Sequence, residues 1–326
     1  MDHRTQYLLN ARPLPLLAKM SAPNSIAFFI QASVSMTEVW FVGQLGSSSL
    51  AAMALVFPLL MLTQTLSAGA MGGAVASAIA RALGAGEPQR AEQLIWHALA
   101  MAVIGALLLF TAFWVFGAHF LRFLGGNNDT LDQALRYCLV LFSGGVFLWF
   151  MGVVSAIYRG MGEMKFPALV MAASALVQVP LSAALVLGAF GAPQLGIVGA
   201  AVSAVITAFL LSGIMILRLI IGSTAIKIRR SHFGFEPQHF REILKVALPA
   251  SLSPILTVTS ILCLTAIVGR FGEEALAGYG IGSRIEFLLI PLVFGIGASM
   301  TSLVGMSVGA GNLKRAERIG WVGGMG

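Results

Sequence analysis

The sequence contains a long segment that is repeated further along the same chain. Residues 42–51 read VGQLGSSSLA and residues 268–277 read VGRFGEEALA, so the second copy lies 226 positions later. Residues 84–96 and 309–321 share Gly-Ala-Gly, Arg-Ala-Glu and a closing Trp, but here the offset is 225. The chain therefore consists of one long unit followed by the beginning of a copy. In a membrane protein, a duplicated unit of this size is typical of a molecule built from two halves around a central pathway.

The composition is that of a membrane protein. Hydrophobic residues make up 58% of the 326 positions and charged residues 10%, with a mean hydropathy of +0.89, whereas soluble domains carry about 25% charged residues. Apolar runs longer than the roughly 20 residues that a helix needs to cross a bilayer recur along the chain. We therefore predict an all-α membrane protein, a polytopic helical bundle with about eight complete transmembrane helices. The predicted spans lie near residues 20–43, 49–80, 93–118, 131–158, 166–189, 195–220, 244–269 and 276–308.

The distribution of Lys and Arg predicts the orientation of the chain. With the N-terminus in the cytoplasm, 16 of the 20 Lys and Arg residues fall in cytoplasmic segments, three on the other side and one inside a span. This asymmetry follows the positive-inside rule. It also accounts for the net charge of +7 without a nucleic-acid partner. We expect a monomer embedded in the lipid bilayer of the bacterial cytoplasmic (inner) membrane.

The repeat predicts how the chain is divided. Six spans separate equivalent positions of the two copies, and because six is an even number, the copies have the same orientation in the membrane. We predict a six-helix bundle at residues 1–225 and a partial second bundle at residues 226–326, with helices 7 and 8 and the start of helix 9. A finished second copy would extend well beyond Gly326, because the last residues fall inside the counterpart of the third span. We therefore expect either a fragment or the product of a truncated gene.

Three charged side chains lie well inside the predicted spans: Glu38, Arg284 and Glu286. A charge at mid-bilayer costs about 2.5–3.5 kcal/mol on insertion scales, so such a residue usually faces a cavity or a partner. Glu38 is the main candidate for coupling, because a buried carboxyl group favours its protonated form and can exchange its proton when a cavity opens. Its counterpart in the second copy is Leu264. The alternatives are that Glu38 reaches water at the outer interface, and that Arg284 and Glu286 snorkel or pair with other helices.

Further polar and flexible side chains lie at membrane depth. The alternative for each is a purely structural role, either in packing or in an interhelical hydrogen bond that contributes well under about 2 kcal/mol. Candidates for a substrate cavity are Gln31, Met36, Thr63 and Gln64, and the polar residues that could belong to a second site are Gln178, Ser182, Arg284 and Glu286.

Several kinds of chemistry lack their sequence signatures. There is no Walker A sequence and no nucleophile elbow in a suitable context, and the five histidines do not have metal-ligand spacing. The two cysteines, Cys138 and Cys263, fall inside predicted spans and are interpreted as packing residues. We therefore expect no enzyme activity, no cofactor and no bound metal.

Four stretches are informative in their order along the chain. They are residues 38–46 (EVWFVGQLG, followed by LAA at 50–52), 83–86 (LGAG), 158–167 (YRGMGEMKFP) and 193–201 (PQLGIVGAA). In this order, and together with the repeat, they resemble the multidrug and toxic compound extrusion (MATE) family of antiporters, in particular its DinF-like branch. The resemblance runs from about Lys19 to the last residue, so the chain is C-terminally incomplete relative to a typical member.

The resemblance implies a protein of two six-helix bundles that exports lipophilic, often cationic compounds in exchange for protons or sodium. In DinF-like members the coupling carboxylate is an aspartate of the first span, and Glu38 occupies that position here. Such members often carry an asparagine and an aspartate in the fifth span, where this chain has Gln178 and Ser182. One of the two carboxylates that the resemblance implies is therefore missing.

We predict a secondary-active efflux transporter of small lipophilic or cationic compounds, with a substrate cavity lined by spans 1, 2, 7 and 8. One alternative is a lipid-linked oligosaccharide flippase of related architecture, which is disfavoured because the spans contain one arginine and no lysine to bind a pyrophosphate. A membrane-embedded enzyme acting on lipids would need clustered acids, bases or metal ligands that the chain lacks. The third alternative is an inactive fragment of a transporter.

Overall fold

The computed structural model describes residues 3–126, 128–222, 226, 234, 236–268, 271 and 273–325, without the side chains at positions 3, 262, 265–266, 273–289 and 291. Every regular element in this part of the chain is helical, which confirms the predicted all-α fold. The α-helices are α1 His3–Asn10, α2 Pro13–Gly43, α3 Ser47–Gln64, α4 Gly72–Gly84, α5 Pro88–Phe123, α6 Asn128–Ser143, α7 Gly145–Gly160, α8 Lys165–Leu187, α9 Ile197–Ile221, α10 Pro237–Val268, α11 Glu273–Gly309 and α12 Leu313–Met325.

Proline and glycine mark several of the helix ends. Pro13 and Pro88 lie in the first turns of α2 and α5, where the missing backbone N–H would have no partner within the helix. Gly188 follows the last residue of α8 and Gly222 follows that of α9, with φ angles of 74° and 85°. Glycine adopts this left-handed conformation without the penalty that a Cβ imposes. These local signals separate the long apolar runs into helices.

The number of membrane spans agrees with the prediction. Seven of the described helical segments are long and apolar enough to cross a membrane, and the bent pair α6–α7 raises the number to eight. The two helices of this pair are bent by 54° at Gly144, where the sequence predicted one continuous span. A Cβ at Gly144 would overlap the side chain of Val205, so the bend lies where α9 approaches closely.

The helix bounds follow the repeat found in the sequence. The start of α11 at Glu273 repeats the start of α3 at Ser47 with the offset of 226, and the start of α12 at Leu313 repeats that of α5 at Pro88 with the offset of 225. One position is therefore lost from the second copy between these points. The predicted boundary between residues 225 and 226 falls in a stretch that lies largely outside the described residues, and it stays a prediction.

The lost position has a structural counterpart in the first copy. There a π-helical turn, Thr65–Met71, joins α3 to α4, whereas α11 runs as a single α-helix over the equivalent length. A π turn contains one residue more than an α turn, because its hydrogen bonds connect residues i and i+5. The π turn thus accounts for the change of offset from 226 to 225.

α4 and α11 contact each other reciprocally. Gly84 packs so closely against the backbone of Met306 that a Cβ would overlap its carbonyl group, and Gly309 packs in the same way against Arg81. In the repeat, Gly84 corresponds to Gly309 and Arg81 corresponds to Met306. Exchanging the two copies therefore exchanges the two contacts, as at a two-fold axis.

Two further contacts join residues to their own repeat counterparts. Gly305 lies against Ala80, and Gly69 lies against Phe294. The two members of each pair are related by the same offset of 225 that relates Gly84 to Gly309. Only residues beside a two-fold axis can touch their own equivalents. The pseudo-two-fold axis therefore runs between α4 and α11.

The two halves are packed together at one end of the molecule. We call this the Arg81 end, after Arg81 in the last turn of α4. α5 begins at the same end. A large buried cluster at this end joins residues of the first bundle to Ile243, Leu303 and Ile319 of the second copy. The described members of a second cluster, around Phe113 and Phe142, all belong to the first bundle. The described contacts between the halves are thus concentrated at the Arg81 end.

Candidate functional site

Glu38 lies in the last third of the 31-residue helix α2 and is only 9% exposed. Its hydrogen-bond partners among the described residues come from α8 and α9. Both of these helices belong to the first bundle. The candidate coupling residue is therefore placed inside one bundle, and its described hydrogen bonds stay within that bundle.

The carboxyl oxygen Oε1 of Glu38 accepts two hydrogen bonds. Nε2 of Gln178 donates at 3.0 Å, and Oγ of Ser203 donates at 3.5 Å. Ser203 Oγ also lies 2.9 Å from the carbonyl oxygen of Ala200, so two acceptors share its one proton. Ser182 lies near the same carboxyl group, and its buried Oγ has no hydrogen-bond partner in the described part of the chain. One acid and three neutral polar side chains thus form the site.

Helix geometry explains why these residues meet. Gln178 and Ser182 are four positions apart on α8, so they lie on the same face, one turn from each other. α9 packs beside α8 and contributes Ser203. The structure therefore brings together three residues that the sequence singled out, Glu38, Gln178 and Ser182. Ser203 was missed, because nothing in the apolar sequence of α9 distinguishes it from Ser212 on the same helix.

The surroundings of Glu38 limit the chemistry of the site. Burial disfavours the charged carboxylate, while the amide and hydroxyl donors stabilise it. In the part of the chain that the structure describes, no group of three or more His, Cys, Asp or Glu residues could hold a metal ion. A single carboxyl group beside neutral oxygens suits a proton, or a monovalent cation held by Glu38, Ser182 and Ser203.

The four residues predicted for a substrate cavity are not gathered around Glu38. Oε1 of Gln31 accepts a hydrogen bond from Ser174 of α8 at 3.2 Å, and the Thr63 hydroxyl donates within its own helix. Met36 is 65% exposed, and Gln64 is also exposed. No hydrogen bond joins any of these side chains to Glu38 within the described residues. Their role in a substrate cavity stays a prediction.

The other two candidates for a second site are Arg284 and Glu286. Both belong to α11, but their side chains lie outside the described ones. The predicted pairing of these residues with other helices therefore stays a prediction.

A buried arginine beside the π turn was also missed. The sequence places Arg159 at the cytoplasmic end of a span, but the residue is 5% exposed. Its guanidinium group donates to Oγ of Ser155 at 3.2 Å and to the carbonyl oxygen of Ala68, within the π turn, at 3.4 Å. The end of α7 is covered by the α3–α4 segment, which the sequence alone did not indicate.

Comparison with known proteins finds relatives over almost the whole chain. A family model described as MatE matches residues 23–184 and 249–323. A FAD transporter of Shewanella oneidensis is 26% identical over 316 residues, covering 95% of this chain and 69% of the relative. A probable multidrug resistance protein NorM of Thermotoga maritima is 27% identical over 316 residues, covering 94% and 66%. The chain thus spans about two thirds of the length of the curated relatives it matches.

A solved structure has the same fold. It is described as the outward-facing conformation of a multidrug resistance MATE family transporter of the MOP superfamily. Its TM-score against this chain is 0.91 at 25% sequence identity, and the match covers 99% of this chain and 71% of that one.

Proposed function

Since this chain belongs to the MatE family of membrane transporters, we propose that it exports small lipophilic or cationic compounds in exchange for protons or sodium. The family assignment confirms the resemblance to the MATE family, whereas the DinF-like branch stays a prediction; members of this family are transporters and not enzymes. Of the two relatives described above, one is named a probable multidrug resistance protein and the other a FAD transporter. Multidrug efflux is the function that the chain's composition and the buried Glu38 support best.

The observation that carries this proposal is the buried position of Glu38. Its carboxyl group is held by Gln178 and Ser203 inside an apolar bundle, where the anionic and the neutral forms differ strongly in their solvation. Taking up a proton or a cation removes the net negative charge from this site. The packing of α2 against α8 and α9 then favours a different arrangement in each state, which is the differential interaction that ion-driven transport requires.

We place the Arg81 end of the molecule in the cytoplasm. The distribution of Lys and Arg supports this orientation, because most of these residues lie in the segments at that end. The proposed location is the bacterial inner membrane, where the protein acts as a monomer. In this orientation, the closed end of the described structure faces the cytoplasm.

Transport in proteoliposomes tests the proposal. The protein is reconstituted, and accumulation of the lipophilic cation ethidium is followed after a proton gradient or a sodium gradient is imposed separately. The parent should accumulate ethidium under at least one gradient, and Glu38→Gln should reduce that accumulation roughly tenfold or more, because an amide cannot exchange the charge. Glu317→Gln, which changes an exposed acid on α12, serves as the control. Unchanged transport by Glu38→Gln would refute the coupling role.

A further inference from the structure

The two halves meet at the Arg81 end along two seams that are related by the repeat. The first seam joins α4 and α5 to the beginning of α10, and the second joins α11 and α12 to α1 and α2. The equivalent helices of the two copies thus occur in both seams, with their roles exchanged. The residues that cross the two seams differ.

Ion pairs cross the first seam. Oε2 of Glu242, on α10, lies 2.9 Å from Nη2 of Arg90 on α5, and Oε1 lies 3.3 Å from Nη2 of Arg81 on α4. A hydrogen bond also crosses this seam. The backbone N–H of Glu236 donates to Nε2 of His97 at 2.9 Å. One carboxylate from the second copy therefore holds two arginines of the first bundle.

An arginine also crosses the second seam, but its acceptors are backbone carbonyls. Nη2 of Arg315 donates to the carbonyl oxygens of Leu8 at 2.8 Å and Ala11 at 2.7 Å. These oxygens belong to the last turn of α1 and the residue after it, where unpaired helix carbonyls carry partial negative charge. Arg315 is the repeat counterpart of Arg90, whereas the counterpart of Glu242 is Leu16.

We propose that Arg90 and Arg315 are the two arms of a latch that closes the pathway between the halves at the Arg81 end, one on Glu242 and the other on the end of α1. Both arginines start from equivalent positions, and both reach from the beginning of a third span to the opposite half. Their acceptors differ in chemistry but share negative charge, which is the property that a guanidinium group recognises.

The exposure of the first arm suits a contact that opens in every transport cycle. The side chain of Arg90 is 42% exposed and that of Glu242 is 20% exposed. Ion pairs in contact with water contribute little net stability, so they can break without a large barrier. The latch rests on the proposed transport function, because a closed end is only useful to a protein that opens it.

Cysteine accessibility tests the latch without any need for transport. Ser302 on α11 is fully buried and lies one turn from Gly305, which contacts Ala80 across the halves. Ser302→Cys is introduced together with Cys263→Ser, which removes the exposed native thiol. The rate of modification by a membrane-impermeant maleimide is measured in inside-out vesicles, where the reagent reaches the cytoplasmic side.

The two arms are opened separately, each with a matched control. Glu242→Gln and Arg315→Gln should each raise the modification rate about two- to fivefold, the range that exposed charged contacts support. Glu87→Gln removes an acid that lies just before α5 and pairs with Arg90 of the same bundle, and Arg318→Gln removes an exposed arginine of α12. Both control variants should leave the rate unchanged. If Glu242→Gln does not reach the membrane, Glu242→Leu is used in its place. This variant copies Leu16, the equivalent residue of the other seam.

Two results would overturn the latch. One is a modification rate that neither Glu242→Gln nor Arg315→Gln changes in correctly inserted protein. The other is an equal increase in the control variants, which would indicate general loosening. The ethidium assay reports separately on the transport function. If the parent does not transport ethidium but the accessibility changes are observed, the proposed substrate or coupling ion is wrong and the latch is retained.

Discussion

At the scale of single residues, the two copies are most clearly distinguished by Glu38. Its counterpart in the second copy is Leu264, so the equivalent position of α10 carries no acid. The polar partners of Glu38 also come from the first bundle alone. We infer that the duplication kept the shape of these helices without duplicating the acid.

The partners of Glu38 should contribute unequally to cation exchange. Gln178→Leu removes the donor at 3.0 Å and should shift the half-saturating proton or sodium concentration for efflux about tenfold, as expected for a hydrogen bond to a charged group. Ser203→Ala removes the longer bond at 3.5 Å and should shift it only about threefold. Ser212→Ala, which removes a hydroxyl that donates within α9, is the control. Equal shifts in all three variants would contradict the assignment of the site.

The sequence reveals a site of this kind only in part. Glu38 was identifiable because an acid at membrane depth is costly, and Gln178 and Ser182 were identifiable through a family resemblance. Ser203 was not, because a serine in an apolar helix can satisfy its hydroxyl on its own backbone, so its presence alone indicates no site. Which serine turns towards a carboxyl group depends on how α9 packs against α2 and α8, and this is a tertiary property.

At the scale of helices, the π turn at Thr65–Met71 is a feature that the sequence encoded indirectly. Long apolar runs were sufficient to predict the spans, but no local residue pattern announced a π turn or the bend at Gly144. The shift of the repeat offset from 226 to 225 did contain the information, although it could not say whether a loop or a helix carried the extra residue. The structure assigns it to a helix, beside the buried Arg159.

This assignment predicts that one residue can be removed from the π turn. Deleting Ala68 should convert the turn into a regular α-helical turn, as in α11, while α3 and α4 keep their outward faces. The variant should insert in the membrane and remain monodisperse, with an apparent unfolding temperature within about 5 °C of the parent, since about 1 kcal/mol shifts it by a few degrees. Size-exclusion chromatography and thermal unfolding in detergent provide the measurement.

The control deletion lies in a regular helix. Removing Ala102, a fully buried residue of α5, rotates everything on one side of the deletion by about 100° and moves apolar residues out of the core. This variant should aggregate or fail to accumulate. If the two deletions are equally harmful, the π turn does not contain an extra residue of the kind inferred from the repeat.

At the scale of the whole molecule, the pseudo-two-fold axis between α4 and α11 explains why glycines are needed at Gly84 and Gly309. Each lies where the backbone of the opposite helix passes too closely for a Cβ. Because the two contacts are equivalent, neither glycine can be replaced without separating the same pair of helices. The latch at the Arg81 end closes over this contact, so helix packing along the axis and charged contacts at the two seams act on the same closed arrangement.

The symmetry predicts equal consequences for substitutions at equivalent positions. Gly84→Ala and Gly309→Ala should each lower the apparent unfolding temperature, by amounts that agree with each other, because the new methyl group costs about 1–3 kcal/mol of overpacking against a backbone that cannot move aside. Gly73→Ala and Gly297→Ala are matched controls, since a Cβ at either position meets nothing within 4 Å. The controls should raise the unfolding temperature slightly, because alanine stabilises a helix by about 0.5–1 kcal/mol relative to glycine. A large loss at Gly84 with none at Gly309 would mean that the two halves do not meet along a two-fold axis.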